Sequence, residues 1–331
     1  MEPHDTPRDI VIVADGKPRK VRSIVVEGRT VILTQKFPKI AAVHDEGVVE
    51  GEVIARPESA IIQLKKSRLG ADIFTFGQRL PDTTPKHNYH LEWDSMAAVP
   101  ITTFDDWLKN RVEYDVRKAV KKAAKVGVVA RPVQLDDSLI KAISKIYNES
   151  PIRQGKPFWH YQKSFEDLKR EKATYLNRSE FIGAFYQEEL IGFIKMVYVG
   201  NIATTFHVFS TQRHADKKPT TALIAKAVAI CAEKGLSHLV YANYRYHRVD
   251  SSLTEFKRRN GFEEILVPRY YIPLTVKGSL FLNLQIHHGI INAFPVPLVE
   301  RLRTARAQFY RRLQRASNSA DNPVTQSQIR S

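Results

Sequence analysis

The sequence predicts an α+β fold, with helices packed on a mixed sheet, and three observations carry that prediction. First, residues 181–210 hold three short runs rich in Ile, Val, Phe, Tyr and Thr: Phe181–Tyr186, Leu190–Val199 and Ile202–Ser210. Gln187-Glu188-Glu189 and Gly200-Asn201 separate them, so they read as an antiparallel three-strand meander. Second, a stretch of small and apolar residues opens at Pro219 and closes at Gly235. Proline suits a first helical position, where its missing N–H is not needed, and glycine suits a left-handed cap, so this is a buried helix. Third, His238–Tyr244, Ser251–Asn260 and Phe262–Val267 alternate as strand, helix and strand. The order is β-β-β-α-β-α-β.

The whole chain sets the outer limits. Its 331 residues suffice for two domains with ordinary cores. Hydrophobic residues at 43% and charged residues at 26% describe a globular chain. The polar start Met1–Arg8 is not a signal peptide, and no run of about 20 apolar residues offers a membrane span. Ser279–Val299 comes nearest, but His287-His288, Pro295 and Pro297 interrupt it. The single cysteine, Cys231, excludes a disulfide framework and a Cys-rich zinc site, and the expected location is cytoplasmic. A net charge of +16 suits either a solvated basic surface or a polyanionic partner such as nucleic acid, acidic lipid or a phosphorylated co-substrate.

Taken in order, residues 1–100 are β-rich, with alternating short spans punctuated by Gly16, Gly28, Gly47 and Gly51 and room for a short helix near Pro57–Leu64. Lys86–Pro100 is a loop and strand whose His87, His90, Trp93 and Asp94 follow no recognised metal-ligand spacing, so they read as core or interface residues. Residues 101–135 form a connection. Thr103 and Asp106 resemble a capping box opening a helix from Phe104 to Val126. Its apolar side is Trp107, Leu108, Val112, Val116 and Val120, and its other side carries Lys109, Arg111, Arg117, Lys118, Lys121, Lys122 and Lys125 against Glu113 and Asp115. That stripe is either a solvated face or a contact for phosphates, which need charge but no particular sequence. Gly127 ends the helix and Val128–Val133 returns as a strand.

Residues 136–276 form the remaining large unit. Asp136, Asp137 and Ser138 offer N-caps for a helix from Leu139 to Glu149. The loop Ser150–Tyr161 lacks periodicity yet keeps several aromatics, which marks it as a candidate acceptor site. Arg153 and Lys156 suit a carboxylate or phosphate, while Trp159 and Tyr161, with Phe158, suit exclusion of water; the alternative is a loop pinned to the surface by its aromatics. Residues 277–316 end in an amphipathic helix, Leu298–Leu313, with arginine on its polar side. Such a helix either docks on the core or lies on an acidic membrane through residues 298–315. Residues 317–331 have little to bury and are expected to be disordered.

Leu253-Thr-Glu-Phe-Lys-Arg-Arg-Asn-Gly-Phe262 resembles the late helix-to-strand signature of GNAT-fold acyltransferases. Arg117-Lys-Ala-Val-Lys-Lys-Ala-Ala-Lys-Val-Gly-Val128 upstream is similar to a basic segment of the Fem-type branch, the peptidoglycan aminoacyl transferases and their relatives. The resemblance spans roughly Phe104 to Thr275 and implies two GNAT-like halves, the first non-catalytic. It further implies a donor held where the strand Ile202–Ser210 splays from its neighbour, with the donor's pyrophosphate at the following helix N-terminus. The matching positions are Phe209, Ser210, Arg213, Lys217, Lys218, Thr220 and Thr221. Gln212–Pro219 lacks the glycines of the usual donor loop, so basic side chains stand in for part of that cradle. The implied co-substrate is acyl-CoA, with no metal, and the implied acceptor is a small-molecule or cell-wall-type amine. Aminoacyl-tRNA is the alternative donor, and a non-catalytic GNAT-fold binding module for RNA or membrane is the rival from another class. His207 is the candidate base and Tyr244 or Tyr246 the candidate acid for the leaving group, each against a plain core reading.

Overall fold

The computed structural model describes residues 6–14, 17–153, 156–245 and 251–288. The helix expected at Leu298–Leu313, the polar end 317–331 and Tyr246 lie outside the described residues.

The chain opens with β1 (Arg8–Ala14), β2 (Lys17–Val26), β3 (Arg29–Lys36) and β4 (Lys39–Val43), then α1 (Pro57–Lys66), β5 (Ile73–Gly77) and β6 (His90–Pro100). Next come α2 (Phe104–Asp106), α3 (Tyr114–Lys125), β7 (Val129–Val133), α4 (Asp137–Tyr147), the two-residue strands β8 (Ile152–Arg153) and β9 (Lys156–Pro157), and α5 (Phe165–Lys172). The chain continues with β10 (Ser179–Tyr186), β11 (Glu189–Val199), β12 (Ile202–Ser210), α6 (Pro219–Glu233), β13 (His238–Asn243), α7 (Ser252–Arg259), β14 (Glu263–Pro273) and α8 (Val276–Asn283).

Twelve strands make one mixed sheet in the order β1-β2-β3-β4-β5-β14-β6-β13-β12-β11-β10-β7. The same device occurs twice in it. The antiparallel strands β2, β3 and β4 lead through α1 to β5, which runs parallel to β4. The antiparallel strands β10, β11 and β12 lead through α6 to β13, which runs parallel to β12. The two halves also trade strands: β14 lies between β5 and β6, and β6 lies between β14 and β13.

Alternation along the strands builds a core on each face. Ile191, Ile194, Met196 and Ala203 pack beneath α6 with Leu223, Ile224, Ala227 and Val228. Phe181, Leu190 and Phe193 face α4 and α5, meeting Ile140, Ile143, Tyr147 and Leu168. In the first half, Ala60 and Leu64 of α1 cover Val26, Val31, Ala41 and Phe74.

The helix expected over Phe104–Val126 is broken. A single wide turn, Trp107–Arg111, follows α2, and Val112 and Glu113 are extended before α3 begins. The cause is tertiary. The Trp107 indole N–H donates to the Asn260 carbonyl at 3.0 Å, and the Glu113 N–H donates to the Arg259 carbonyl, which fastens this segment to the end of α7. The Arg117 guanidinium then caps the freed Val112 carbonyl at 2.6 Å. At that same junction Gly261 has φ +78, and a Cβ there would sit 3.2 Å from the Arg111 backbone oxygen. The loop expected over Ser150–Tyr161 contains the β8–β9 hairpin, and α5 follows where no helix was expected.

Candidate active site

The site forms where β12 leaves β13. The two strands pair over Ile202↔His238, Ala203↔Leu239 and Thr204↔Val240, whereas β12 continues alongside β11 to Ser210. The Thr205 hydroxyl donates to the Val240 carbonyl at 3.2 Å where they part. Register shifts here: Met196 opposes Thr205 and Lys195 opposes His207, so Phe206 is an inserted residue. The bulge turns His207 and Lys195 to the face covered by α5. A cavity of about 420 Å³ opens beside the parting strands, lined by Thr205, Phe206, Ala242 and Asn243, and by Arg79 and Leu80 from the first half. Nη1 of Arg79 is buried without a hydrogen-bond partner among the described residues.

At the outer end of β12 stands the N-terminus of α6. Lys218 precedes it in the left-handed region (φ 59), no side chain caps it, and Pro219 is its first residue. The Thr220 hydroxyl meets that of Ser210 at 2.8 Å, and Thr221 is half-buried beside it. The loop leading in is held by a carboxylate of the protein itself. Glu149 accepts from the Gln212 and Arg213 backbone N–H groups at 2.6 and 2.9 Å. The Arg213 side chain pairs with Glu189 and Lys217 lies over the Tyr186 ring, while Lys218 is exposed. Burial alone would raise the Asp216 carboxyl, but Lys217 and a backbone N–H hold it below the usual range, with a smaller pull from Lys122 of α3.

Behind β12 lies a buried ionic cluster. The Glu171 carboxylate, at the end of α5, meets Lys172 Nζ at 2.8 Å and His207 Nε2 at 3.1 Å, and also pairs with Lys163. Burial would raise this carboxyl, but His207, Lys172 and Lys163 hold it far below the carboxylate range. Lys172 and Lys195 are fully buried. Burial pulls both ammonium groups down to about 8, against the pull of Glu171. Lys195 spends its protons on the Lys172 carbonyl (2.9 Å), the Thr174 carbonyl and the Thr174 hydroxyl (2.9 Å), closing the C-terminal end of α5. Burial takes His207 down to about 4 despite Glu171, so its imidazole is neutral at pH 7. With Nε2 bonded to Glu171, its Nδ1 is buried and has no partner among the described residues. His160, taken down to about 2 by burial, and the Tyr147 hydroxyl, raised by burial, are likewise without hydrogen-bond partners. Their rings pack at 4.3 Å, and His160 lies 6.1 Å from the His207 ring. Unpaired buried polar atoms are few in native proteins, which sets these three side chains apart.

The structure brings the aromatic loop and the donor strand together. Arg153 donates to the Ile146 and Ser210 carbonyls at 2.6 and 3.0 Å, so it ties the loop to the end of β12. Phe158 packs on Phe209 at 5.6 Å. Trp159, 47% exposed, stacks on His160 at 3.5 Å beneath Lys163, and Tyr161 is half-buried nearby. Lys156 contributes its backbone to β9. The candidate acid is not brought to the candidate base: Tyr244 packs into the core on the α6 side of the sheet, whereas His207 faces α5. Sequence reading missed Glu171, Lys172, Lys195, His160 and Tyr147. One signal was available for Lys195, a lysine inside the apolar run Leu190–Val199. No metal-ligand group other than His90, Glu92 and His287 occurs among the described residues.

A three-strand meander, a helix with an open N-terminus and a parallel strand that parts from its neighbour define the GNAT-like fold, and the meander–helix–parallel-strand device occurs here twice. Among solved structures, the chain is similar to L-PGS from Bacillus licheniformis, with a TM-score of 0.53 and 13% identity over 80% of this chain and 88% of that one. It is similar also to FemX, with a TM-score of 0.52 and 12% identity over 84% and 90%. No protein-family model matches the sequence, and no curated protein matches it.

Proposed function

We propose that this protein is an N-acyltransferase that moves an acyl group from acyl-CoA to an amine. The observation that carries the reading is the parted β12–β13 pair ending at an uncapped helix N-terminus with Lys122, Lys217 and Lys218 around it. Free backbone groups along such a gap suit an extended amide-bearing arm, and the helix terminus suits a phosphate. The acceptor enters the cavity beside Thr205 and Phe206, where the unpartnered Arg79 Nη1 suits an anionic group on it. The amine nitrogen bonds to the thioester carbonyl carbon, the C–S bond breaks with its electron pair leaving on the CoA thiolate, and the amine's proton passes to His207 Nδ1 while Glu171 steadies the imidazolium. Reaction in this fold rests chiefly on position, so His207 adds to the rate without being its sole source. The reading carries a cytoplasmic location. No helix among the described residues is long and apolar enough to cross a membrane.

One observation favours the second donor, aminoacyl-tRNA, which the Fem-type resemblance implies. Glu149 already holds two N–H groups that a phosphate would use, while Lys118, Lys121, Lys122 and Lys125 on α3 are exposed and, among the described residues, joined in no ion pair. The donors separate by footprint. Thermal shift of the purified chain is measured with free CoA, acetyl-CoA, longer acyl-CoAs and tRNA. A CoA-dependent rise in Tm lost in Lys218→Glu supports the first reading. No response to any CoA, with salt-sensitive tRNA binding lost on reversing Lys118, Lys121 and Lys122, transfers the assignment to tRNA. Silence from both ligands refutes both readings.

A further inference from the structure

Four side chains with metal-ligand chemistry converge on the first half, away from the parted strands. His90 and Glu92 are two apart on β6, so both project from one face of the strand. Opposite them, β14 pairs Tyr271 with His90 and Arg269 with Glu92. The chain then turns into α8, whose path is set where Gly278 meets the Asp72 carbonyl; a Cβ there would lie 2.0 Å from that oxygen. The turn Ile286–His288 delivers His287 and His288 back to β6.

The resulting distances are short. Glu92 Oε1 lies 2.6 Å from His287 Nε2 and 3.5 Å from His90 Nε2, and Glu92 Oε2 lies 2.7 Å from His288 Nε2. One ligand atom from each of His90, Glu92 and His287 falls within 4.8 Å of the others. The rings are held in place: His287 is buried, its carbonyl accepts from Gln35 Nε2 at 3.2 Å, and the Tyr271 ring lies 4.8 Å from it. His287 and His288 pack at 4.1 Å.

We propose that His90, Glu92 and His287 form a site for a divalent transition-metal ion, zinc fitting best, with His288 beside Glu92 and joining them by a side-chain movement. Three imidazole nitrogens and a carboxylate oxygen are a borderline donor set of the kind zinc prefers, and bond lengths near 2.0–2.2 Å set tetrahedral ligand atoms about 3.3 Å apart. The Glu92–imidazole distances bracket that spacing and the ligand atoms of His90, Glu92 and His287 lie within 4.8 Å of one another, so side-chain adjustment admits the ion. On binding, metal–ligand bonds replace the Glu92–imidazole contacts. Once His288 joins, four protein ligands close the site, and its role is to fasten residues 276–288 to β6. Glu92 and His287 are 195 residues apart in sequence, which is why the spacing around His90 shows no pattern.

Full-length protein dialysed against EDTA is titrated with zinc sulfate by calorimetry, with thermal unfolding measured in parallel. The expected result is one ion per chain, a rise in Tm, and at least a tenfold loss of affinity in Glu92→Gln and His287→Ala. Cobalt(II) adds the visible absorption of a tetrahedral centre. His288→Ala, at an exposed position, keeps the test open if the buried variants fail to fold, and His87→Ala is the control outside the cluster. Zinc binding equal in wild type and the His90→Ala/His288→Ala variant overturns the proposal, as does a Tm loss in His287→Ala that is the same with and without zinc.

Discussion

Replacing Glu171 by glutamine keeps the side chain's size and removes its charge. The carboxylate now faces Lys172 Nζ at 2.8 Å and His207 Nε2 at 3.1 Å, and Lys172 has no exposed surface. Removing one partner of a buried pair costs about 3–5 kcal/mol, because the other charge is left without compensation. Glu171 is itself 19% exposed, which places the cost at the low end, about 3 kcal/mol. Lys172 recovers part of this by releasing its proton. Its pKa, already about 8 against an ordinary 10.5, falls further once Glu171 is neutral. Between the folded and unfolded values the unfolded chain binds the extra proton, so unfolding free energy rises with pH, and in the variant that rise starts below pH 8. Urea unfolding at pH 7 and pH 9, followed by circular dichroism, measures both effects. Lys172→Met is combined with Glu171→Gln to close a double-mutant cycle. A loss under about 1 kcal/mol at pH 7, or single effects that add within about 0.5 kcal/mol, refutes the coupled buried pair.

Two further expectations concern the wild type and α8. The folded pKa values of Lys172 and Lys195, both near 8, lie below the unfolded 10.5, so stability increases as pH rises from 8 towards 9.5; a flat or falling unfolding midpoint over that range contradicts their burial as ammonium ions. Gly278→Ala places a methyl group 2.0 Å from the Asp72 carbonyl oxygen and forces α8 outward at a cost of about 1–3 kcal/mol, so an unchanged Tm removes that close approach.

The parts of the fold readable in the sequence are those where local chemistry and burial agree. Apolar runs and turn residues mark β10, β11 and β12, and Pro219 and Gly235 bracket α6 to within a residue or two of its observed ends. Helix α5 escaped because Phe165–Lys172 carries mostly charged residues and buries only Leu168 and Lys172, too little for an apolar stripe. The break at Val112 escaped because its cause, the bond from Trp107 to the Asn260 carbonyl, joins residues 153 apart. The site divides in the same way. His207 and the loop around Trp159 are recognisable as local features, whereas their meeting with Glu171 and Lys172 depends on the packing of α5. Tyr244 looks equivalent in sequence to any strand-end tyrosine, and the side of the sheet it faces is set by the register of β13, which shifts against β6 between Val240 and Asn243.

The exchange of β6 and β14 between the halves has a consequence for how the molecule is made. A chain synthesised from its N-terminus completes β1 to β6 long before β14 exists, yet β14 is the strand that sits between β5 and β6. Until residues 263–273 leave the ribosome, the facing edges of β5 and β6 have no neighbour, and β6 can reach the second half only through its ladder with β13. Neither half is therefore a finished unit in the order of synthesis. Closure of the sheet belongs to the last part of the described chain, and the newborn protein depends until then on keeping two open strand edges from pairing with other chains.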